Sequence, residues 1–323
     1  MNLPLAVLKI AMLSGGGWVV AAVVGRGPAS ARHDVWLFVI LGALLVPGVA
    51  LLLPPLYDLD IPPAWVSLAH QGKSWLPLVV GLWAVGALVW AARLVPGLLA
   101  LRRIARGAER WSTRDADRAL AEAVRLAGVS RPVILLRSRD VQVPATWGAR
   151  RPVVALPHAA MDWTPERLRL VLLHELLHVR RRDALVESVL WLVEGLYWFH
   201  PAMWLAARRL RLERERACDE AVLATGARAS DYCEHLVEIM RAATRHPRGV
   251  VVSAGMASPF TLEYRVRALL AGPRTAHSPA QQHRSRAAIL LAAVVGIFAL
   301  GVLGLCDGTV PAAAHPHAME VRR

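Results

Sequence analysis

Cysteine is scarce in this chain, with three among 323 residues. Cys218 and Cys233 share one polar segment while Cys306 lies beyond a long apolar block, so no disulfide framework is expected and a reducing compartment suits the polar segment. Charge is missing from four stretches. Residues 3–24, 35–53, 76–92 and 287–305 hold at most one charged side chain each, Lys9 in the first, and each is long enough to cross a hydrocarbon layer of ~30 Å. The first block lacks a basic start and an early small-residue cleavage site, which argues against a cleavable signal peptide and for a retained helix. Nucleic-acid recognition motifs are missing as well, so the net charge of +14 is assigned to a surface held against anionic lipids, with no direct nucleic-acid partner.

What is present is apolar residue in excess, 55% of the chain with a mean hydropathy of +0.40, too much for an ordinary soluble enzyme. Four membrane helices are predicted, and lysine and arginine orient them. Arg26 and Arg32 lie between the first two blocks, only Lys73 between the second and third, and Arg93, Arg102, Arg103 and Arg106 after the third. Basic loops alternate with a poor one. The reading is an amino terminus outside the cell membrane, three transmembrane helices in residues 1–101, a cytosolic segment 102–286, a fourth helix at 287–305 and a short outer tail, 306–323.

Within the cytosolic segment, Leu168, Val171, Leu172, Leu176 and Val179 recur at helical spacing, and Thr164 and Pro165 supply an N-cap and a first helical residue. His174 and His178, four apart, leave that helix on one face. Two imidazoles so placed can bind one zinc ion, and Glu175 beside them can take a proton from water on the metal. A third protein ligand must come from elsewhere. A charged helix is expected from about 202 to 224, where Glu215 and Asp219 share a face; Glu215 is the preferred ligand and Asp219 a support that orients an imidazole. Glu213 and Glu220 stay open as ordinary solvated charges paired with arginines such as Arg209 or Arg216.

Around this core the texture varies. Residues 99–110 continue helical, and 114–127 read as an amphipathic helix closed by Gly128. Two short strands are predicted at 132–136 and 152–156, the second offering an antiparallel edge for an extended peptide. Residues 184–207, rich in aromatics but broken by Glu187, Glu194, Gly195 and Pro201, suggest a helical pair dipping into the membrane interface rather than a fifth crossing. Tyr197, His200 and Tyr232 are candidates to donate a hydrogen bond to the reacting carbonyl oxygen.

The runs H-E-L-L-H-V-R-R-R-D, Y-W-F-H-P-A-M-W and E-R-A-C-D-E-A-V-L, with V-P-A-T-W-G-A-R-R-P-V-V-A-L-P upstream, resemble the BlaR/MecR integral-membrane zinc peptidases, peptidase family M56, over about 76–305. The resemblance implies a mainly α membrane protein with a cytosolic α+β gluzincin-like peptidase domain between the third and fourth helices. It also implies zinc on His174, His178 and Glu215, catalysis by Glu175 and an accompanying Asp219. The implied substrate is a protein or peptide: the chain itself, or a cytosolic protein such as a transcriptional repressor; in the region where self-cleavage falls in the antibiotic sensors this chain has Ser258-Pro259-Phe260, whose proline departs from a matching scissile bond. Residues 306–323 are too few for the penicillin-binding domain of the antibiotic sensors, so β-lactam sensing is not implied. Two other readings compete, a zinc-holding signalling scaffold without proteolysis and a membrane quality-control protease of the HtpX or CAAX-protease type.

Overall fold

A computed structural model describes Trp18 and residues 28–52, 76–245 and 259–272. Apart from Trp18, the predicted helices at 3–24 and 287–305 lie outside the described residues, as do Ser258 and the tail 306–323. The described chain is mainly helical with one small sheet. In order it runs α1 (Ala29–Leu52), α2 (Leu76–Ala92), α3 (Leu94–Gly107), β1 (Glu109–Arg110), α4 (Arg114–Ala127), β2 (Ile134–Ser138), β3 (Ala145–Trp147), β4 (Val153–Pro157), α5 (Pro165–Arg181), α6 (Asp183–Leu196), α7 (Pro201–Leu223), α8 (Ala229–Arg245) and α9 (Pro259–Leu270).

The caps read from the residues are there. Thr164 accepts from the Arg167 amide at 3.3 Å with Pro165 at the first helical position, and Gly128 ends α4 in the left-handed conformation at φ 67°. Helix α3 stops at Gly107, so residues 109 and 110 form a strand instead of continuing the expected helix. At the end of α5, Arg182 takes φ 59°, and this single left-handed residue turns the chain directly into α6.

The sheet order is β1-β2-β4-β3, with β2 and β4 parallel and the two outer strands antiparallel to their neighbours. This corrects the expectation that residues 152–156 form an edge. The strand there, β4, is internal because its amides and carbonyls are shared by two neighbours, and the edge on that side is the three-residue β3, whose Thr146 registers with Val154. Successive residues of the sheet face opposite ways. Leu135, Val154 and Leu156 join the core formed by α4 and α5, while Leu136 and Ala155 pack with Ile104 of α3 on the other face. Helix α5 is therefore covered on nearly every side, and Leu172 and Leu176 are fully buried. Each such leucine contributes about 1.5–3 kcal/mol by leaving water.

A second core joins α1 to α6 and α7 through Trp36, Ile40, Ala43, Leu190, Met203 and Leu210. The ends are pinned by polar contacts. Arg32 pairs with Glu213 at 2.9 Å, and the Ala29 amide donates to Glu220 Oε2 at 3.0 Å. Helix α2 packs on α6 so closely that a Cβ at Gly86 would overlap the Trp198 ring, while the Trp83 indole N–H donates to the Leu196 carbonyl at 3.0 Å. Its outer face stays apolar and exposed. Among the described residues one helical run, Pro77–Gly107, is long and apolar enough to cross a membrane, with none of its apolar window buried in the chain. The turn between α6 and α7 falls at 197–200, within the segment expected to hold it.

Candidate metal centre

The period of α5 places His174 above His178 on the face turned to α7. Their Nε2 atoms are 3.2 Å apart. Helix α7 brings Glu215 Oε2 to 3.6 Å from His174 Nε2 and 3.8 Å from His178 Nε2. The centre of a triangle with sides 3.2, 3.6 and 3.8 Å is about 2.1 Å from each corner, which is the length of a transition-metal bond to imidazole or carboxylate, about 2.0–2.2 Å. Glu215 Oε2 is also buried with no hydrogen-bond partner. A buried carboxylate oxygen is costly unless satisfied, so the orphan atom and the donor set together fit a divalent cation.

The alternatives to Glu215 turn elsewhere. Glu213 is spent on Arg32 and lies 3.7 Å from Arg216, and Glu220 faces Arg216 and the Ala29 amide. Burial alone would raise the Glu215 pKa, but His178, the neighbouring His174, Arg265 and Arg214 outweigh it and hold the carboxyl well below the usual range. It is ionised and ready to ligate.

Both imidazoles are held by their other nitrogen. His178 Nδ1 donates to Asp183 Oδ2 at 2.7 Å, which leaves the Nε2 lone pair able to bind a cation. Asp183 is within reach because Arg182 turns the chain back at the end of α5. Asp219 stands 3.3 Å from His174 Nδ1, and Tyr232 connects the two. Its hydroxyl donates to Asp219 Oδ1 at 2.9 Å and receives the His174 Nδ1 proton at 2.9 Å. Burial and the Asp219 carboxylate push the Tyr232 pKa well up, so that proton stays on the phenol. Cys218 Sγ is 3.5 Å from His178 Nδ1, a nitrogen already bound to Asp183, so His178, Asp183 and Cys218 back the same centre rather than form another.

Glu175 projects beside the histidines, 2% exposed, and its Oε2 accepts a 2.6 Å hydrogen bond from the Thr146 hydroxyl on the edge strand. A cavity opens here between Val143 and Pro144 ahead of β3 and Leu236 and Met240 of α8, with His174 and Glu175 on its wall. Tyr197 and His200 are not part of it. The Tyr197 hydroxyl donates to the Ala43 carbonyl at 2.8 Å in the second core, and His200 precedes α7 at the far end from Glu215.

Reading the residues alone missed four contributors: Thr146, Asp183, the supporting role of Tyr232, and Arg265 of α9. Thr146 and Asp183 sit inside the runs V-P-A-T-W and H-V-R-R-R-D, so the signal was at hand. Arg265 had no such signal. It grips Asp219 through Nε at 2.8 Å and Nη2 at 2.7 Å and stands 3.5 Å from Glu215 Oε2 through Nη1.

Residues 64–269, more than half of the chain, match the family model described as BlaR1 peptidase M56. The regulatory protein BlaR1 of Bacillus licheniformis is 40% identical over 93 residues, 29% of this chain and 16% of that protein. The methicillin resistance mecR1 proteins of Staphylococcus aureus and Staphylococcus epidermidis are 24% identical over 87 residues, 27% of this chain and 15% of theirs. The matched stretch thus spans about a sixth of the relatives' own length.

Proposed function

The chain belongs to the BlaR1 peptidase M56 family, and from that premise we propose that it is a membrane-held zinc endopeptidase with a regulatory role. One observation carries the reading: the His174, His178 and Glu215 donor atoms converge on a single point, with the Glu175 carboxylate beside them. The three side chains would hold zinc. Zinc bound there supplies a Lewis acid next to the scissile carbonyl and draws the pKa of water down towards ~7. Glu175 takes the proton of the attacking water and passes it to the leaving nitrogen, while Thr146 holds its Oε2 in place. Strand β3 is the sheet edge on that side, so an extended peptide can add to it by main-chain hydrogen bonds. The cavity beyond, walled by Val143, Leu236 and Met240, suits an apolar side chain of that peptide.

The names of the relatives, a regulatory protein and methicillin resistance proteins, support a regulator over a general protease. Its substrate is then the chain itself or a cytosolic protein such as a transcriptional repressor. Four crossings with the peptidase domain in the cytosol remain our topology. It is supported by the exposed apolar run Pro77–Gly107 and by Arg102, Arg103 and Arg106 at its C-terminal end.

Substituting Glu175→Gln tests the reading. The variant is expected to keep stoichiometric zinc and lose all cleavage of cytosolic protein. Fragments at the wild-type rate from Glu175→Gln refute the assignment, and zinc without cleavage in the wild type points to the scaffold instead.

A further inference from the structure

The donors weighed for the reacting carbonyl oxygen are all engaged elsewhere: Tyr197 with the Ala43 carbonyl, His200 at the start of α7 and Tyr232 with Asp219. Among the described residues that line the cavity, Arg265 is the remaining one with donors. It is 5% exposed and lines the cavity with His174 and Glu175. Asp219 holds its Nε and Nη2 in a fork, which sets the guanidinium plane and leaves Nη1 facing the metal ligands, 3.5 Å from Glu215 Oε2. Nη2 itself is 3.5 Å from His174 Nε2. Balancing Asp219 accounts for the fork at Nε and Nη2 but not for Nη1, which is turned to the ligand set instead. A permanent cation there is repelled by a bound dication. The position is favourable when negative charge grows between the two.

We propose that Arg265 donates from Nη1 to the oxygen of the scissile carbonyl as that charge develops, an assignment that rests on the zinc-peptidase reading above. The water oxygen bonds to the carbonyl carbon, the π pair of the C=O bond moves onto the oxygen that Arg265 faces, and the water proton goes to Glu175. The pair on that oxygen then re-forms the C=O bond as the C–N bond breaks with its own pair on nitrogen, which takes the proton from Glu175. Arg265 neither gains nor loses a proton. Because Asp219 fixes the guanidinium beforehand, no reorganisation accompanies charge development.

The test measures binding rather than turnover. The full chain in detergent, loaded with zinc, is titrated with a phosphinic peptide, whose tetrahedral anion mimics the charged oxygen; zinc affinity is measured in parallel by chelator competition. Arg265→Ala is expected to weaken phosphinate binding about 100-fold or more, the scale of losing one such donor. Its zinc affinity is expected to stay within about threefold, and added guanidinium ion to restore part of the phosphinate affinity. Arg265→Lys keeps a cation for Asp219, guarding against misfolding, and is expected to lose phosphinate affinity as well because an ammonium cannot form the fork. Unchanged phosphinate binding in both variants overturns the proposal. So does zinc affinity that falls in step with phosphinate affinity without guanidinium rescue, since Arg265 is then only a prop for Asp219. A wild-type chain that binds neither zinc nor phosphinate overturns the peptidase reading and this proposal together, whereas failure confined to the Arg265 variants leaves that reading standing.

Discussion

Replacing Asp183 by asparagine removes one charge and almost no volume, which makes it a sharp probe of how the proposed metal ligands are held. Asp183 is 5% exposed and its Oδ2 takes the His178 Nδ1 proton at 2.7 Å. Burial alone would raise its pKa, but the His178 hydrogen bond, His178 itself, Arg181 and Arg214 pull it below the ordinary value of 3.8, so the partner of the imidazole is a carboxylate. Asparagine can still accept the proton through its amide oxygen, yet it no longer adds basicity to the ring. Outer partners of metal-bound histidine are typically worth tenfold to a hundredfold in metal affinity, about 1.4–2.7 kcal/mol. Zinc affinity, measured by competition with a chromophoric chelator, should weaken by that factor in Asp183→Asn. Asp183→Ala should be worse, since it strands a buried N–H at a cost of about 1–3 kcal/mol. The exposed carboxylate of Glu238, paired with Arg167, serves as control, and Glu238→Gln should leave zinc affinity unchanged. A competing account makes Asp183 merely the first residue of α6, where a negative charge suits the helix dipole by about 0.3–1 kcal/mol. That account predicts a lower melting temperature of the metal-free chain with zinc affinity within threefold of wild type, and this outcome would refute the role given to Asp183.

Two further tests address neighbouring contacts. Thr146→Val deletes the hydroxyl that holds Glu175; a hydrogen bond to a charged group is worth about 1.5–3 kcal/mol, so kcat on any cleaved protein should fall about tenfold to a hundredfold with zinc retained, and Thr146→Ser should restore it. Glu187 binds Arg211 at 2.8 Å and Arg214 at 2.7 Å; burial raises its pKa, but the two guanidiniums win and hold it below 4.5. A carboxyl with a lowered folded pKa stabilises the chain above its unfolded value, and that contribution disappears as pH falls through the folded one. The drop in melting temperature between pH 7 and about pH 3 should therefore be smaller in Glu187→Gln than in wild type, and an equal drop would remove Glu187 from the acid response.

What the residues alone reveal depends on how many elements a feature needs. The histidine pair and the Thr164 cap belong to one helix, and a 3.6-residue period is sufficient to place them. The third ligand needs two helices. Along α7, Glu213 and Glu220 are two turns apart and share the face turned to α1, where Arg32 and the Ala29 amide meet them, while Glu215 and Asp219 share the face turned to α5. Nothing within α7 says which face meets the histidines, and the preference for Glu215 rests on the E-R-A-C-D-E run and its resemblance to a family. The edge strand was misassigned for a related reason. Five apolar residues announce β4, but three residues are too few for β3 to show a period of two, and the pairing that makes it the edge lies in its register with β4. Arg265 is the extreme case. It meets Asp219 across 46 positions and His174 across 91, from a helix that follows residues 246–258, so no spacing rule connects them. The connection arises because a buried aspartate requires a cation and a fork-shaped one satisfies both its oxygens. Such complementarity is selected between elements in the packed interior, which is why the supports of this centre emerge only when α7, α8 and α9 close over α5.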